Sequence, residues 1–129
     1  MTQSQGTRLK GSRVLIVEDE YFLADDLARA LRDAGAEPVG PVNTIAQAEE
    51  LVASQRLDAA VLDLNLHGEM ASDFVQKLSQ SELPCLIVSG YGEDAIPDCV
   101  AGMARLEKPV SPSVVVDSLA AELSRVRVS

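Results

Sequence analysis

The sequence of 129 residues has no tryptophan, one histidine, two cysteines and no cluster of basic residues. Its formal net charge is −9, and a chain without a basic run has nothing to displace phosphate counterions, which argues against a nucleic-acid surface. The single histidine, His67, cannot form a multi-histidine metal site, and we expect it in a solvated loop. Cys85 and Cys99 fall in an apolar strand and a helical stretch, which predicts two small buried side chains and no disulfide.

Long apolar runs are also missing. The uninterrupted apolar segments fall far short of the roughly 20 residues that a membrane-spanning helix needs, and residues 1–6 lack the core of a signal peptide. We therefore expect no membrane contact and a cytoplasmic location. The length and the absence of repeats predict one domain over residues 13–127, after a polar, flexible leader over residues 1–12.

Two apolar segments run directly into carboxylates. Residues 14–17 (VLIV) precede the acidic residues 18–20, and residues 59–62 (AAVL) precede Asp63. Carboxylates held close together repel each other, and burial raises the cost, so such a cluster usually needs a cation. If both strands are parallel neighbours, the acids meet at the carboxyl edge of one sheet, where open α/β folds place their sites. The pattern predicts a small divalent-metal site around one special aspartate.

Five segments predict β-strands that differ in polarity. They lie at residues 13–18, 37–42, 58–63, 83–89 and 104–108. The first, third and fourth are nearly continuous apolar runs, which is typical of strands covered on both faces. The second carries two prolines and the fifth carries three charged residues, so both suit the edges of a sheet.

Helical spacing and capping signals predict the connections between these strands. The helices are expected at about residues 23–34, 44–55, 71–80, 95–101 and 111–126. Five βα units with two edge strands predict an α/β fold with a doubly wound, five-stranded parallel sheet of order 2-1-3-4-5. In that order strands one and three are neighbours, so Asp19 and Asp63 converge.

Two further polar side chains, Ser89 and Lys108, follow strands four and five at the same edge. A carboxylate can attack phosphorus to form an aspartyl phosphate, and a magnesium ion held by carboxylates neutralises charge that would repel a phosphoryl group. A lysine adds a second positive charge, and a hydroxyl can donate to a phosphoryl oxygen. Each residue alone has an ordinary explanation, such as a helix N-terminus or a turn. Those explanations do not account for all of them lying at one edge.

This set of residues resembles the receiver domains of two-component response regulators, over essentially residues 13–127. The resemblance implies a flavodoxin-like receiver fold with Asp63 as the phosphoacceptor. It also implies a site for Mg²⁺ (or Mn²⁺), with Asp19 as a direct ligand and Glu18 acting mainly through water. Asp63 and the backbone carbonyl of Asn65 would complete the ligand set.

The same resemblance assigns Ser89 as the switch hydroxyl and Lys108 as the family's lysine, followed by Pro109, often in a cis peptide. Three residues before the lysine, many receivers carry a Tyr or Phe that swings inward on activation; here the residue is Arg105. The stretch IVSGY, which ends at Tyr91, looks like a variant of the Phe-Ala-Thr-Gly-Tyr stretch of some single-domain receivers. Tyr91 is therefore expected to replace the aromatic switch, stacking on Arg105.

Two other departures from the family pattern concern loops. Receivers commonly carry Pro four residues and Gly eight residues after the phosphoacceptor, where this chain has His67 and Ala71. We expect that loop to run differently, with Gly68 providing its turn. The interval between Ser89 and Lys108 is short for the family, which leaves little room for the fourth helix and predicts a reshaped output surface.

These features predict a phosphorylation-operated signalling switch. Asp63 would accept a phosphoryl group from a histidine kinase or a phosphotransfer protein, and the chain would catalyse only its own phosphorylation and dephosphorylation. No DNA-binding domain is expected, so output would come from an unidentified protein partner, from a phosphorelay or from a phosphorylation-dependent homodimer. Gly90 has no side chain to screen the acceptor, so we expect small phosphodonors to reach Asp63.

Three alternatives remain open on the sequence. A binding module of the same fold that no longer uses phosphate would not need the full acidic set. A haloacid-dehalogenase-like phosphatase expects an acid two residues after its nucleophile, where this chain has Asn65. A flavodoxin-like flavin protein needs a Ser/Thr/Gly phosphate cradle after strand one, where this chain has the acidic residues 18–20.

Overall fold

The structure, a computed structural model, describes residues 8–66, 69–90 and 102–128, with the side chains of residues 69–70 and 126–128 left out. The elements are β1 (Arg13–Val17), α1 (Tyr21–Asp33), β2 (Glu37–Val42), α2 (Ile45–Ser54), β3 (Ala59–Asp63), β4 (Asn65–Leu66), β5 (Glu69–Met70), α3 (Ser72–Gln80), β6 (Cys85–Ser89), β7 (Arg105–Glu107) and α4 (Pro112–Val128). None of the helices within the described ranges is long and apolar enough to cross a membrane.

Five parallel strands form the main sheet in the order β2-β1-β3-β6-β7, which confirms the predicted order 2-1-3-4-5. The proline-containing β2 and the charged β7 lie at the two edges, as their polarity indicated. Val17 of β1 pairs with Leu62 of β3, and Asp63 pairs with Val88 of β6. The carboxyl ends of the three central strands therefore meet.

Side chains alternate between two apolar layers along the central strands. On one face Ile16 and Val61 pack with Leu31 of α1 and Leu119 of α4. On the other face the sheet packs on α2 and α3, with Phe74 buried there. Burying one large aliphatic side chain contributes about 1.5–3 kcal/mol, so these layers hold the carboxyl edge rigidly. The doubly wound arrangement is confirmed.

The helix-capping signals in the sequence correspond to observed bonds. Thr44 caps α2, since its Oγ1 accepts a hydrogen bond from the backbone N–H of Gln47 at 3.1 Å, as a capping box requires. Gly35 follows the end of α1 with φ +93°, a conformation that glycine adopts without steric cost. The predicted strand ends differ from the observed ones by one or two residues, which is the usual uncertainty at element termini.

The end of the expected leader is packed rather than free. Leu9 is 1% exposed within the core layer of α1 and α4, and its N–H donates to the carbonyl of Ala34 at 2.9 Å. Arg8 forms an ion pair with Asp117 of α4. Residues 8–12 of the expected leader are therefore packed in part against the domain, with Leu9 and Ser12 buried, and residues 1–7 lie outside the described residues.

A short antiparallel hairpin follows β3, with Asn65 opposite Met70 and Leu66 opposite Glu69. The sequence predicted a departure from the family's loop here but no strands. His67 and Gly68, with the turn assigned to Gly68, lie outside the described residues. The same holds for Tyr91, for Cys99 and for the helix expected at 95–101, whereas Cys85 is buried with a free thiol.

Candidate functional site

Three carboxylates meet at the carboxyl edge of the sheet, one after β1, one beside it and one at the end of β3. One oxygen from each of Glu18, Asp19 and Asp63 lies within 4.8 Å of the others. Glu18 and Asp63 are each 4% exposed. Because the apolar strands β1 and β3 are neighbours, their first polar residues are brought together, as the sequence predicted.

Backbone amides orient two of these carboxylates. The N–H of Asn65 donates to Asp63 Oδ1 at 3.0 Å, and the N–H of Glu20 donates to Glu18 Oε2 at 3.0 Å. Both amides come two residues after the carboxylate that they bind, so the loops after the strands fix the side chains. The role of the Asn65 carbonyl as a metal ligand stays a prediction.

Lys108 provides positive charge at the centre of the site. Its backbone N–H donates to the Ser89 carbonyl at 2.7 Å, which ties the residue after β7 to the end of β6. Its Nζ donates to Asp63 Oδ2 at 3.1 Å and to Glu18 Oε2 at 2.9 Å. It also donates to Glu20, a partner that the sequence analysis did not assign to the site although Glu20 lies in the predicted acidic run.

Burial dominates the electrostatics of the site. Desolvation raises the pKa of Glu18 to about 7, against the opposing hydrogen bonds from Lys108 and the Glu20 amide. Desolvation also raises the pKa of Asp63, opposed by the Asn65 amide and by Lys108. Burial alone would lower the pKa of Lys108, but its hydrogen bonds to Glu20, Glu18 and Asp63 raise it. Three carboxylates, those of Glu18, Glu20 and Asp63, thus share one ammonium group, and the carboxylates in the cluster outnumber its positive charge.

This donor set fits a hard divalent cation. Carboxylate oxygens are the ligands that Mg²⁺ takes from proteins, usually one or two together with water and phosphate oxygens. Glu18, Asp19 and Asp63 offer three such oxygens close together, and a cation there would favour the ionised carboxylates, which burial otherwise disfavours. No histidine or cysteine contributes in the described part of the chain.

The other predicted residues lie at different distances from this cluster. Ser89 is 3% exposed and ends β6, one position beyond the residue that pairs with Asp63. Pro109 follows Lys108 through a cis peptide bond. Arg105 is exposed on the edge strand β7, opposite Ile87. Its expected stacking partner Tyr91 lies outside the described residues.

An open cavity of about 420 Å³ adjoins the lysine. It is lined by Glu20, Leu23, Gly90, Lys108, Pro109 and Val110. The cavity places the ammonium of Lys108 within reach of a small solute, and Gly90 contributes no side chain that would narrow it.

Two exposed aromatic rings stand beside the site. Tyr21 and Phe22 begin α1 directly after the acidic run and are 76% and 81% exposed. Their ring centroids are 5.5 Å apart with the planes at 78°, so each ring packs mainly on the other. These two residues were not predicted to belong to the site. Their position directly after the acidic run, in a first helical turn, could have pointed to them.

Comparison with known families gives a match over most of the chain. The sequence model described as the response regulator receiver domain matches residues 14–120. The transcriptional regulatory protein PdtaR of Mycobacterium tuberculosis is 28% identical over 119 residues, which cover 89% of this chain and 58% of PdtaR. The phosphate regulon transcriptional regulatory protein PhoB of Pseudomonas aeruginosa is 30% identical over 124 residues, covering 89% and 53% of the two chains. This chain therefore spans between about half and three fifths of these curated relatives.

Solved structures of receiver size match this chain over nearly the whole length of both chains. The solution structure of SdrG from Sphingomonas melonis Fr1 superposes with a TM-score of 0.76 and 33% identity, covering 91% of this chain and 98% of SdrG. A putative response regulator from Chloroflexus aurantiacus superposes with a TM-score of 0.77 and 26% identity, covering 90% of this chain and all of the other chain.

Proposed function

This chain belongs to the response regulator receiver domain family of two-component signalling, and on that premise we propose that it is a switch operated by phosphorylation of Asp63. The observation that carries the proposal is the environment of this aspartate. Its carboxylate is 4% exposed at the end of β3, oriented by the Asn65 amide and bound by Lys108 Nζ at 3.1 Å. A carboxylate so placed can act as a nucleophile toward phosphorus.

In the proposed reaction a carboxylate oxygen of Asp63 attacks the phosphorus of a phosphohistidine. The new O–P bond forms as the N–P bond breaks, and the released imidazole nitrogen keeps the electron pair and takes a proton from solvent. In this proposal Lys108 donates to one oxygen of the transferred group and the Ser89 hydroxyl donates to another. The chain catalyses only this transfer and the later hydrolysis of its own acyl phosphate.

Glu18, Asp19 and Asp63 would hold the divalent cation, Mg²⁺ or Mn²⁺, with the Asn65 carbonyl as a further ligand. When bound, such a cation neutralises the charge of the incoming phosphoryl group. Without it, the negative charge of the clustered carboxylates opposes the approach of a phosphoryl anion. We therefore propose that phosphorylation depends on this cation.

We propose a docking surface for the phosphodonor protein from the exposed apolar residues at the helix starts on the carboxyl edge of the sheet. A histidine kinase or phosphotransfer protein has to bring its histidine to the carboxyl edge of the sheet, where α1 and α4 both begin. The large exposed apolar side chains of the described residues are Tyr21, Phe22 and Val114, all at these two helix starts. We refer to these three residues as the rim surface. Output would pass to an unidentified protein partner, to a relay or to a second copy of the chain.

The acceptor assignment is tested by labelling. The wild-type chain, incubated with acetyl phosphate and Mg²⁺, should gain one phosphoryl group in intact-mass spectrometry, and EDTA should prevent the gain. Asp63→Asn should remove labelling, because an amide is not a nucleophile here. Asp73→Asn, which removes an exposed carboxylate in the first turn of α3, is the matched control and should label normally.

Undiminished labelling of Asp63→Asn would show that another residue accepts the phosphoryl group. A chain that neither labels nor changes with Mg²⁺ and beryllium fluoride would support the second candidate, a receiver-like binding module independent of phosphate. The half-buried Lys108 and the close acidic set favour the switch, since a binding module gains nothing from carboxylates that carry raised pKa values.

A further inference from the structure

The three carboxylate partners of Lys108 differ sharply in exposure. Its ammonium group donates to Glu18 at 2.9 Å, to Asp63 at 3.1 Å and to Glu20. The Glu18 and Asp63 side chains are 2% and 4% exposed, whereas the Glu20 side chain is 59% exposed. An ammonium group has three N–H donors, so all of the donors of Lys108 are engaged in the resting structure.

Phosphorylation requires that this arrangement change. If Lys108 is to donate to a phosphoryl oxygen, its ammonium has to give up part of its present set of partners. A buried carboxylate that loses its partner is left as an uncompensated charge, which disfavours release of Glu18. A solvent-exposed ion pair contributes little to stability, so the carboxylate of Glu20 can return to water at little cost.

We propose that Glu20 is a releasable positioning residue that holds Lys108 in the resting state and competes with the phosphoryl group for it. Its carboxylate opposes phosphorylation in two ways. It occupies an N–H of Lys108, and it places negative charge where a phosphoryl dianion arrives. Glu20 therefore restrains phosphorylation until the phosphoryl group displaces it. This inference rests on the proposed function of Asp63.

The resting contact is tested without metal or phosphate. The chain has three lysines, Lys10, Lys77 and Lys108, so lysine-selective ¹⁵N NMR of the metal-free protein resolves each ammonium group, and Lys108→Arg identifies the signal. Glu20→Gln should accelerate hydrogen exchange at the Lys108 ammonium, while Lys10 and Lys77 stay unchanged. An unchanged Lys108 signal would show that Glu20 does not hold the lysine in solution.

The competition is tested with beryllium fluoride, a phosphoryl analogue, in the presence of Mg²⁺. Glu20→Gln should lower the Kd for beryllium fluoride about fivefold, which is the size of effect expected when one exposed ion pair is lost. Glu20→Asp keeps the charge but is one methylene shorter and should also tighten binding. Glu107→Gln removes the same charge from an exposed residue next to Lys108 in sequence and should change the affinity by less than about twofold.

The results distinguish a competing Glu20–Lys108 contact from a supporting role of Glu20 and from an effect of charge alone. Weaker or unchanged binding by Glu20→Gln overturns the proposal, since a supporting role of Glu20 predicts weaker binding. A Glu20→Asp variant that binds like the wild type overturns the contact in favour of charge alone. A wild-type chain without any beryllium fluoride response overturns the proposed function itself, and the inference with it.

Discussion

At the scale of single residues, Glu18 is where the fold and the site conflict most. The residue directly follows the apolar strand β1 and is 4% exposed, yet it carries a carboxylate. Burial raises its pKa from 4.5 to about 7, although Lys108 and the Glu20 amide both donate to it. Near neutral pH the metal-free site therefore binds a proton that the unfolded chain does not.

This raised pKa makes the stability of the metal-free protein depend on pH. A carboxyl group whose pKa is higher in the folded state stabilises the fold below its unfolded pKa, and the contribution is lost as pH rises through the folded pKa. For Glu18 the window runs from 4.5 to about 7, and Asp63 adds to it with the same sign. The Glu18 contribution is on the order of 3 kcal/mol.

Urea unfolding in EDTA should therefore show a free energy of unfolding that falls between about pH 5 and about pH 8. Glu18→Gln should flatten much of this fall, because an amide does not titrate over the window. An exposed control, Glu49→Gln on α2, should leave the slope unchanged. Equal slopes for wild type and Glu18→Gln would mean that Glu18 is already ionised without cost.

The residue scale also shows what the sequence could and could not predict about the site. Glu18, Asp19 and Asp63 could be predicted to converge because β1 and β3 are neighbours. Lys108 could be expected at the same edge because it follows another parallel strand, and the resemblance to receiver domains implied the role of each residue. The bond from Lys108 to Glu20 could not be assigned. It depends on which way a flexible side chain turns within an acidic run, and spacing along the sequence does not determine a rotamer.

At the scale of elements, the start of α1 joins the reaction site to the rim surface. Tyr21 and Phe22 follow the acidic run within one helical turn, and at 76% and 81% exposure they contribute little to folding. Aromatic side chains in such positions are typical hot spots of protein interfaces, where truncation costs about 2 kcal/mol or more. An effect on binding and an effect on stability can therefore be separated here.

The Tyr21→Ala and Phe22→Ala variants should each lower kcat/KM for phosphotransfer from a protein donor by about tenfold or more. Labelling by acetyl phosphate, which has no surface to dock, should stay within about twofold of wild type. Glu49→Ala, on the opposite face of the sheet, serves as the exposed control. A parallel loss with both donors would place the aromatic pair in the chemistry rather than in docking.

Strands whose composition indicates their place in the sheet were predicted correctly. Segments in which only one or two residues are structurally important were not predicted. The prolines of β2 and the charges of β7 identified both edges, and the sheet order followed. Leu9 gave no such signal, because one leucine in a polar segment has no periodicity, yet it is 1% exposed in the core. The two-residue strands β4 and β5 are likewise too short for a period of two to be read.

At the scale of the whole molecule, the acidic site opposes the fold that builds it. The two apolar layers stabilise the sheet in which β1 and β3 are neighbours. This arrangement brings one carboxylate oxygen from each of Glu18, Asp19 and Asp63 within 4.8 Å of the others. Burial of Glu18 and Asp63, which raises the pKa values of both, makes their ionisation costly to the folded state. Any ligand that binds the folded cluster but not the unfolded chain should therefore stabilise the entire domain.

Mg²⁺ should accordingly raise the free energy of unfolding of the wild-type chain, by about 2.7 kcal/mol at a concentration a hundred times its Kd. The gain should be larger at about pH 8 than at about pH 5, because protons compete for the raised-pKa carboxyl group of Glu18. Asp19→Asn should reduce the gain strongly, since it removes one of the three clustered carboxylates. Asp73→Asn, on α3, should retain it. Urea midpoints with Mg²⁺ and with EDTA give the comparison, and equal Mg²⁺ gains in Asp19→Asn and Asp73→Asn would locate the cation away from this edge.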